Sequence, residues 1–161
     1  MSATFKEFLR EQAAKEAAQA TKAKDVVDEW RTAVEKLFRQ MRAWLAESDP
    51  DGVIEIKEQQ QEVREPGLGR YHVPRLDLHA FGTWIGIIPK ARQTVATARP
   101  PRVAAPQRAV GRVDITDELR RYVLFRFRDG DRDVWLIEDA DSKSKPFDHE
   151  AFEAALLSYL R

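Results

Sequence analysis

The chain has no cysteine among its 161 residues, and only three histidines. Disulfides and thiolate nucleophiles are thereby excluded, and a metal would have to be held by histidine and carboxylates. Long hydrophobic runs are missing as well. The most apolar stretch, residues 84–88, falls far short of the about 20 residues needed to cross a bilayer. The first ten residues carry charge and no apolar core of a secretory signal. A cytoplasmic location with no membrane partner is the resulting expectation. Glycine and proline are absent before Pro50, so nothing there interrupts a helix. Acidic residues are absent between 90 and 112, a stretch holding six basic ones. The 27 basic and 27 acidic residues of the whole chain cancel, which argues against general polyanion binding but leaves room for a local basic patch.

What is present is organised around residues 25–45. Val27, Trp30, Val34, Leu37, Met41 and Trp44 recur at alternating spacings of three and four, and Val26, Phe38 and Leu45 widen that seam into a broad apolar face. The face must be buried, either on this chain's own sheet or on another molecule. Upstream, Thr4 and Glu7 have the spacing of a capping box. Residues 5–24 are rich in Ala, Glu, Lys and Gln, with an apolar seam that thins after Phe5, Phe8 and Leu9 to Ala13, Ala17, Ala20 and Ala23. Asp25 offers an alternative start for a second helix, but the spacing favours one helix of about 44 residues, roughly 66 Å long. It outreaches a body of about 115 residues, whose radius of gyration is near 13 to 14 Å. Residues 48–52, Ser-Asp-Pro-Asp-Gly, stop it.

Beyond Gly52 the period becomes two. Val53, Ile54 and Ile56 predict a first strand, and the Glu-Gln-Gln-Gln run at 58–61 an exposed edge or loop. A turn at 66–69 leads to short strands at 71–73 and 76–81, broken by Pro74, and Gly82 turns into a strand at 83–88 that Pro89 closes. Residues 91–107 predict a long loop with three prolines. Strands follow at 110–115, 121–128 and 134–138, with a turn at 129–132. Val123, Phe125 and Phe127 share one face. Trp135 and Ile137 share a face of the last strand, opposite Val134 and Leu136. Asp148 is a candidate helix cap, with Phe147 and Phe152 placed as a hydrophobic staple before a face of Phe152, Ala155, Leu156, Tyr159 and Leu160. The expected fold is α+β: a long N-terminal helix, an antiparallel meander of about six to eight short strands, and a C-terminal helix packed on the sheet. At this length a single domain is expected, residues 25–161, carrying a Pro- and Arg-containing loop at about 91–109, with residues 1–24 as a helical arm.

Chemistry is sparse. His72, Asp77 and His79 form the most metal-like group, because Asp77 and His79 point to one face of a strand, but solvated polar residues on a strand give the same pattern. Asp129, Asp131 and Asp133 imitate the start of a calcium loop, yet the glycine at 130 is misplaced for one, and a hairpin turn explains them. Glu55 and Lys57 have the Glu-x-Lys spacing of a metal-dependent nuclease but lack its upstream acidic partner. No nucleophile elbow, Walker-type or dinucleotide-binding pattern occurs. No catalytic residue, metal or cofactor is therefore expected.

The leading expectation is a non-enzymatic protein-interaction or assembly module. Its helix, through Val27, Trp30, Val34, Leu37, Met41 and Trp44, would engage a second copy or a protein partner, and the α+β body would supply a recognition surface. The alternative is a nucleic-acid-associated accessory protein that binds through Lys90, Arg92, Arg99, Arg102, Arg108 and Arg112. In that reading the arginines meet phosphates, and His72 or exposed aromatics stack on bases. A solubilising loop, or one paired with the chain's own acidic segment, accounts for the same charges. Residues 113–161 carry 12 acids against 8 bases. A third reading, a metal-dependent hydrolase or nuclease, would use Glu55 with Lys57, or His72, Asp77 and His79.

Overall fold

In the computed structural model, which describes residues 2–161 with side chains from Thr4 onward, one helix, α1, runs from Ser2 to Ser48 without a break at Asp25. Its 47 residues span about 70 Å. Thr4 already lies inside the first turn, so the expected capping box does not start the helix, and the position that would cap it falls outside the described residues. The far end stops as the sequence demands. The Asp49 amide donates to the Leu45 carbonyl at 2.7 Å, and the Asp49 carboxylate accepts from the amides of Val53 and Ile54 at 2.8 Å each. That cap holds Val53 and Ile54 out of the sheet, which corrects the start of the first strand to Glu55.

The strands are β1 (Glu55–Glu65), β2 (Gly69–Ala80), β3 (Thr83–Ala91), β4 (Thr97–Ala98), β5 (Gln107–Arg108), β6 (Arg112–Thr116), β7 (Arg121–Asp129), β8 (Arg132–Glu138) and β9 (Ser144–Pro146); helix α2 is His149–Leu160. Seven of them form one antiparallel sheet in the order β1-β2-β3-β6-β7-β8-β9, and β4 with β5 forms a separate pair. Neighbours in the main sheet are neighbours in sequence except where β3 passes to β6. The segment between those two carries the β4–β5 pair, so the expected long loop contains a small hairpin of its own.

One strand expectation is narrowed to its edge alternative and two, both at prolines, are corrected. The Glu-Gln-Gln-Gln run lies within β1, an edge strand of 11 residues whose charged and amide side chains discourage edge-to-edge pairing. Pro74 does not break β2. It stands opposite Gln60 of β1, while the ladder of β2 with β3 begins only at Leu76, so one flank of the strand is open where a prolyl nitrogen is tolerated. It also marks a change of face. Tyr71 and Val73 before it, and Leu76 and Leu78 after it, all enter the same core although their parity differs. Pro89 likewise pairs with Val113 rather than ending β3, and the strand is irregular between Pro89 and Ala91. The two-residue turn between β2 and β3 places Phe81 and Gly82 at φ 53° and 74°, the left-handed pair a tight hairpin requires. Strand β9 was not foreseen: its Ser-Lys-Pro sequence has no alternating apolar pattern and is exposed throughout.

Both helices cover the same face of the sheet. The main core joins Trp30, Val34, Phe38 and Met41 of α1 and Phe152 and Leu156 of α2 to Leu76, Ile87, Val113, Ile115, Leu124 and Ile137 of the strands. The start of α2 is as expected, with the Asp148 carboxylate accepting from the Ala151 amide at 2.8 Å and Phe147 edge-on to Phe152 at 5.9 Å. On the other face Phe127 and Leu136 form a smaller cluster with Ala109, against which Ala96, Ala98 and Phe125 pack. The segment carrying β4 and β5 thus covers part of that face.

Trp30 is fully buried, and the slot that admits it is Gly111. A Cβ built on Gly111 would stand 2.2 Å from the Trp30 ring. Beside it lies Arg126, also fully buried, whose guanidinium reaches Glu29 of α1 at 2.5 Å and Asp133 of β8 at 2.8 Å and sits 5.9 Å from the Trp30 ring centre. A buried cation persists only with such partners. Gly111→Ala is expected to push a rigid, enclosed indole out of place and cost about 1–3 kcal/mol. For a domain of this size that lowers the thermal midpoint by several degrees; an unchanged melting curve would show that Trp30 is free to shift.

Candidate functional site

The expected interaction helix divides into two parts. Val27, Trp30, Val34, Leu37 and Met41 are buried against this chain's own sheet, and Trp44 is half-buried against Phe147, Phe152 and a stacked His149. The two possibilities left open by the periodicity are thereby resolved: the seam is intramolecular core. What remains uncovered is the helix upstream. Every residue from Thr4 to Lys22 is exposed, including Phe5 at 64%, Phe8 at 54% and Leu9 at 50%. At spacings of three and four, these three share one helical face.

The six basic residues between 90 and 112 also divide. Arg99 and Arg102 lie exposed between β4 and β5, with Arg99 Nε donating to the Val103 carbonyl at 3.0 Å. Arg92 turns to the helix side, where burial lowers its pKa, Glu29 and Glu65 oppose that change, and Arg126 adds to it. Its backbone is anchored there too. The amides of Arg92 and Gln93 donate to the buried Glu65 carboxylate at 2.9 Å each, and the Tyr71 hydroxyl donates to the same carboxylate in a short hydrogen bond. Burial, reinforced by that carboxylate, raises the Tyr71 pKa and keeps the phenol protonated.

Lys90, Arg108 and Arg112 do converge. They line an open groove of about 920 Å³ on the sheet face away from the helices, together with Arg121, which the sequence had not singled out. Phe125 lines it as well, and Gln93, Thr94 and Val95 form part of its wall. The strands position these side chains by parity: Val113 and Leu124 pair and face the core, so the neighbouring pair Arg112 and Phe125 faces outward. The wall is tied down by the Thr94 hydroxyl, which donates to the Ala109 carbonyl at 2.9 Å, and by the Ala109 amide, which donates to the Ala96 carbonyl at 2.8 Å.

The groove is electrostatically one-sided. Four cations line it and no carboxylate does. Arg112 is held by Asp114 through bonds of 2.8 and 3.1 Å, and those bonds raise its pKa despite the opposing effect of burial. Lys90, Arg108 and Arg121 have no side-chain ion pair among the described residues. Arg121 and Phe125 were missed because they lie outside the basic run. The alternation of β7 could have placed both on one face, but only the β6–β7 register brings them beside Arg112.

The remaining candidates serve the sheet. Asp77 is buried on the outward face and accepts from Arg75 at 2.6 and 3.2 Å, Trp84 Nε1 at 2.7 Å and Gln59 at 3.0 Å, which occupies its lone pairs with donors. His72 and His79 are exposed, and the described residues contain no cluster of three or more ligating side chains. Glu55 and Lys57 form an exposed ion pair at 3.6 Å. Asp129 and Asp131 belong to the β7–β8 turn, while Asp133 binds Arg126 and Arg128. Among the described residues no helix is long and apolar enough to cross a membrane.

Comparison with models of protein families, with characterised proteins and with solved structures finds no match to this chain.

Burial opposes ionisation of Asp77, but the bonds from Arg75 and Trp84 outweigh it and hold the carboxyl below the usual carboxylate range. A depressed folded value contributes stability above the unfolded value of about 3.9, lost as pH falls through the lower folded one. Asp77→Asn should therefore cost about 1.5–3 kcal/mol at pH 7. Urea unfolding should show the gap to wild type narrowing below about pH 4. A gap independent of pH would mean that the carboxylate's charge is not what stabilises this face.

Proposed function

We propose that the protein is a non-enzymatic interaction module whose N-terminal arm associates with a second copy of the chain or with a protein partner. The observation that carries this reading is the uncovered stretch from Thr4 to Lys22, with Phe5, Phe8 and Leu9 on one face. An isolated helix of that length is marginal in water, but here it propagates from a turn already formed by the packed part of α1. Its apolar face is thus presented preformed, at little ordering cost to a partner. Each of the three large side chains is half-exposed or more, leaving roughly 1 kcal/mol apiece to be gained on burial. After Leu9 the seam is alanine, which permits close approach of another helix.

The basic groove lies on the opposite face of the sheet from α1, so arm association leaves it open. The body therefore offers a second surface of different chemistry, in keeping with a module that joins two components.

Size-exclusion chromatography with light scattering tests the reading on the full chain, combined with a photocrosslinking residue at Phe8. Wild type is expected at a multiple of 18.5 kDa, with crosslinks between arms, or as a monomer crosslinking a protein of different mass. The triple substitution Phe5→Ser, Phe8→Ser, Leu9→Ser should abolish either behaviour and leave the body folded by circular dichroism, since none of the three is in the core, with the thermal midpoint no longer dependent on protein concentration. A wild-type monomer that crosslinks nothing would overturn the proposal.

A further inference from the structure

We infer that the groove between the β4–β5 segment and strands β6 and β7 is a binding site for single-stranded nucleic acid, with backbone phosphates on Lys90, Arg108 and Arg121 and a base stacked on Phe125. Three observations support this. First, cations from four separate places in the chain meet, and of these only Arg112 has a carboxylate partner. Like charges gathered this way repel one another, and an anion relieves that repulsion. Asp114 neutralises Arg112 within the groove, and Asp77 neutralises Arg75 elsewhere on the same face. Lys90, Arg108 and Arg121 are left unpaired around one space, and all three are exposed.

Second, the groove is open and, at about 920 Å³, lies at the upper end of the range for small-molecule pockets. An open trough suits a ligand that passes through it better than one that must be enclosed.

Third, its lining includes an aromatic. Phe125 is half-buried, packed from one side on the cluster around Phe127 and Leu136. It stands directly opposite Arg112 on β6, whose guanidinium is fixed by Asp114. A ring supported from below and flanked by fixed and free cations is the arrangement in which sequence-tolerant strand binding is achieved: stacking on the ring, phosphates on the cations. A duplex keeps its bases stacked internally and has no use for the ring. Gln93 and Thr94, on the wall, supply polar groups without charge.

This inference is independent of the arm. The arm substitutions described above should leave strand binding intact, so failure of either reading is distinguishable from failure of the other.

The test is fluorescence anisotropy of the full chain with labelled dT12 and U12 at 50 to 200 mM salt, alongside a 12-base-pair duplex. The two homopolymers separate DNA from RNA as the source of the same chemistry. Wild type should bind at least one single strand, with affinity falling steeply with salt. The triple variant Lys90→Ala, Arg108→Ala, Arg121→Ala should lose most of the binding at 50 mM and reduce the log–log salt slope by about 2, at about 0.7 per single-strand phosphate contact. Phe125→Leu, which keeps the packing volume nearly filled, should weaken binding by about tenfold with the salt slope unchanged. Arg99→Ala with Arg102→Ala, outside the groove, should bind as wild type does. Circular dichroism melting of each variant confirms that it is folded. Absence of wild-type binding at 50 mM salt, retention of binding by the folded triple variant, or duplex binding as tight as single-strand binding and indifferent to Phe125→Leu would each overturn the inference.

Discussion

The burial of Trp30 against the backbone of Gly111 is the contact on which the rest of the structure depends. It locks one turn of α1 to the start of β6, and Arg126 secures the same spot from β7 by bridging Glu29 on the helix to Asp133 on β8. A helix of 47 residues lying on a sheet whose strands are mostly far shorter could slide along it by a turn with little change in buried area, because hydrophobic burial has no direction. An indole in a slot that no Cβ can share, beside a cation that needs both of its carboxylates, supplies that direction. With this point fixed, residues 4–22 stay exposed and the apolar face from Val27 to Leu45 is core.

The same contact governs the opposite face. Gly111 lies in the short connection into β6, and two main-chain bonds, from the Val110 amide to the Arg126 carbonyl and from the Arg126 amide to the Gly111 carbonyl, pin that connection to β7. At the other end of the segment, Glu65 anchors the amides of Arg92 and Gln93. Residues 93–109 are therefore held at both roots. They lie across Phe127 and Leu136 as one wall of the basic groove. The groove's charge follows from strand parity: on β2 and β6 an arginine and an aspartate two residues apart point the same way and cancel, while Lys90 and Arg121 occupy strand ends with no such partner.

Much of the fold was legible. The length of α1, its stop at Asp49, the hairpin at Gly82, the split of β7 and β8 into two faces, and the cap and staple of α2 all depend on residues within a few positions of one another. The misreadings share a cause. Pro74 and Pro89 are poor strand residues judged locally, yet each sits where a flank is open or the ladder is irregular, which depends on where β3 and β6 begin and end. Strand β9 carries no local signal and exists because β8 presents an unpaired edge to it.

The sequence by itself determined both helices and most strands of the main sheet, which of their faces must be buried, and the concentration of positive charge between 90 and 112, because periodicity and composition are local properties of the chain. The tertiary structure alone decided that the seam from Val27 to Trp44 is covered by this chain's own sheet, since an apolar stripe reads identically whatever covers it. It also decided which cations act together. Arg92 is turned to the core side by its anchored backbone, Arg99 and Arg102 stay near the tip of their segment, and Arg121 joins Lys90, Arg108 and Arg112 across some thirty residues of chain. That grouping follows from strand register, a relation between distant segments that no single stretch of sequence contains.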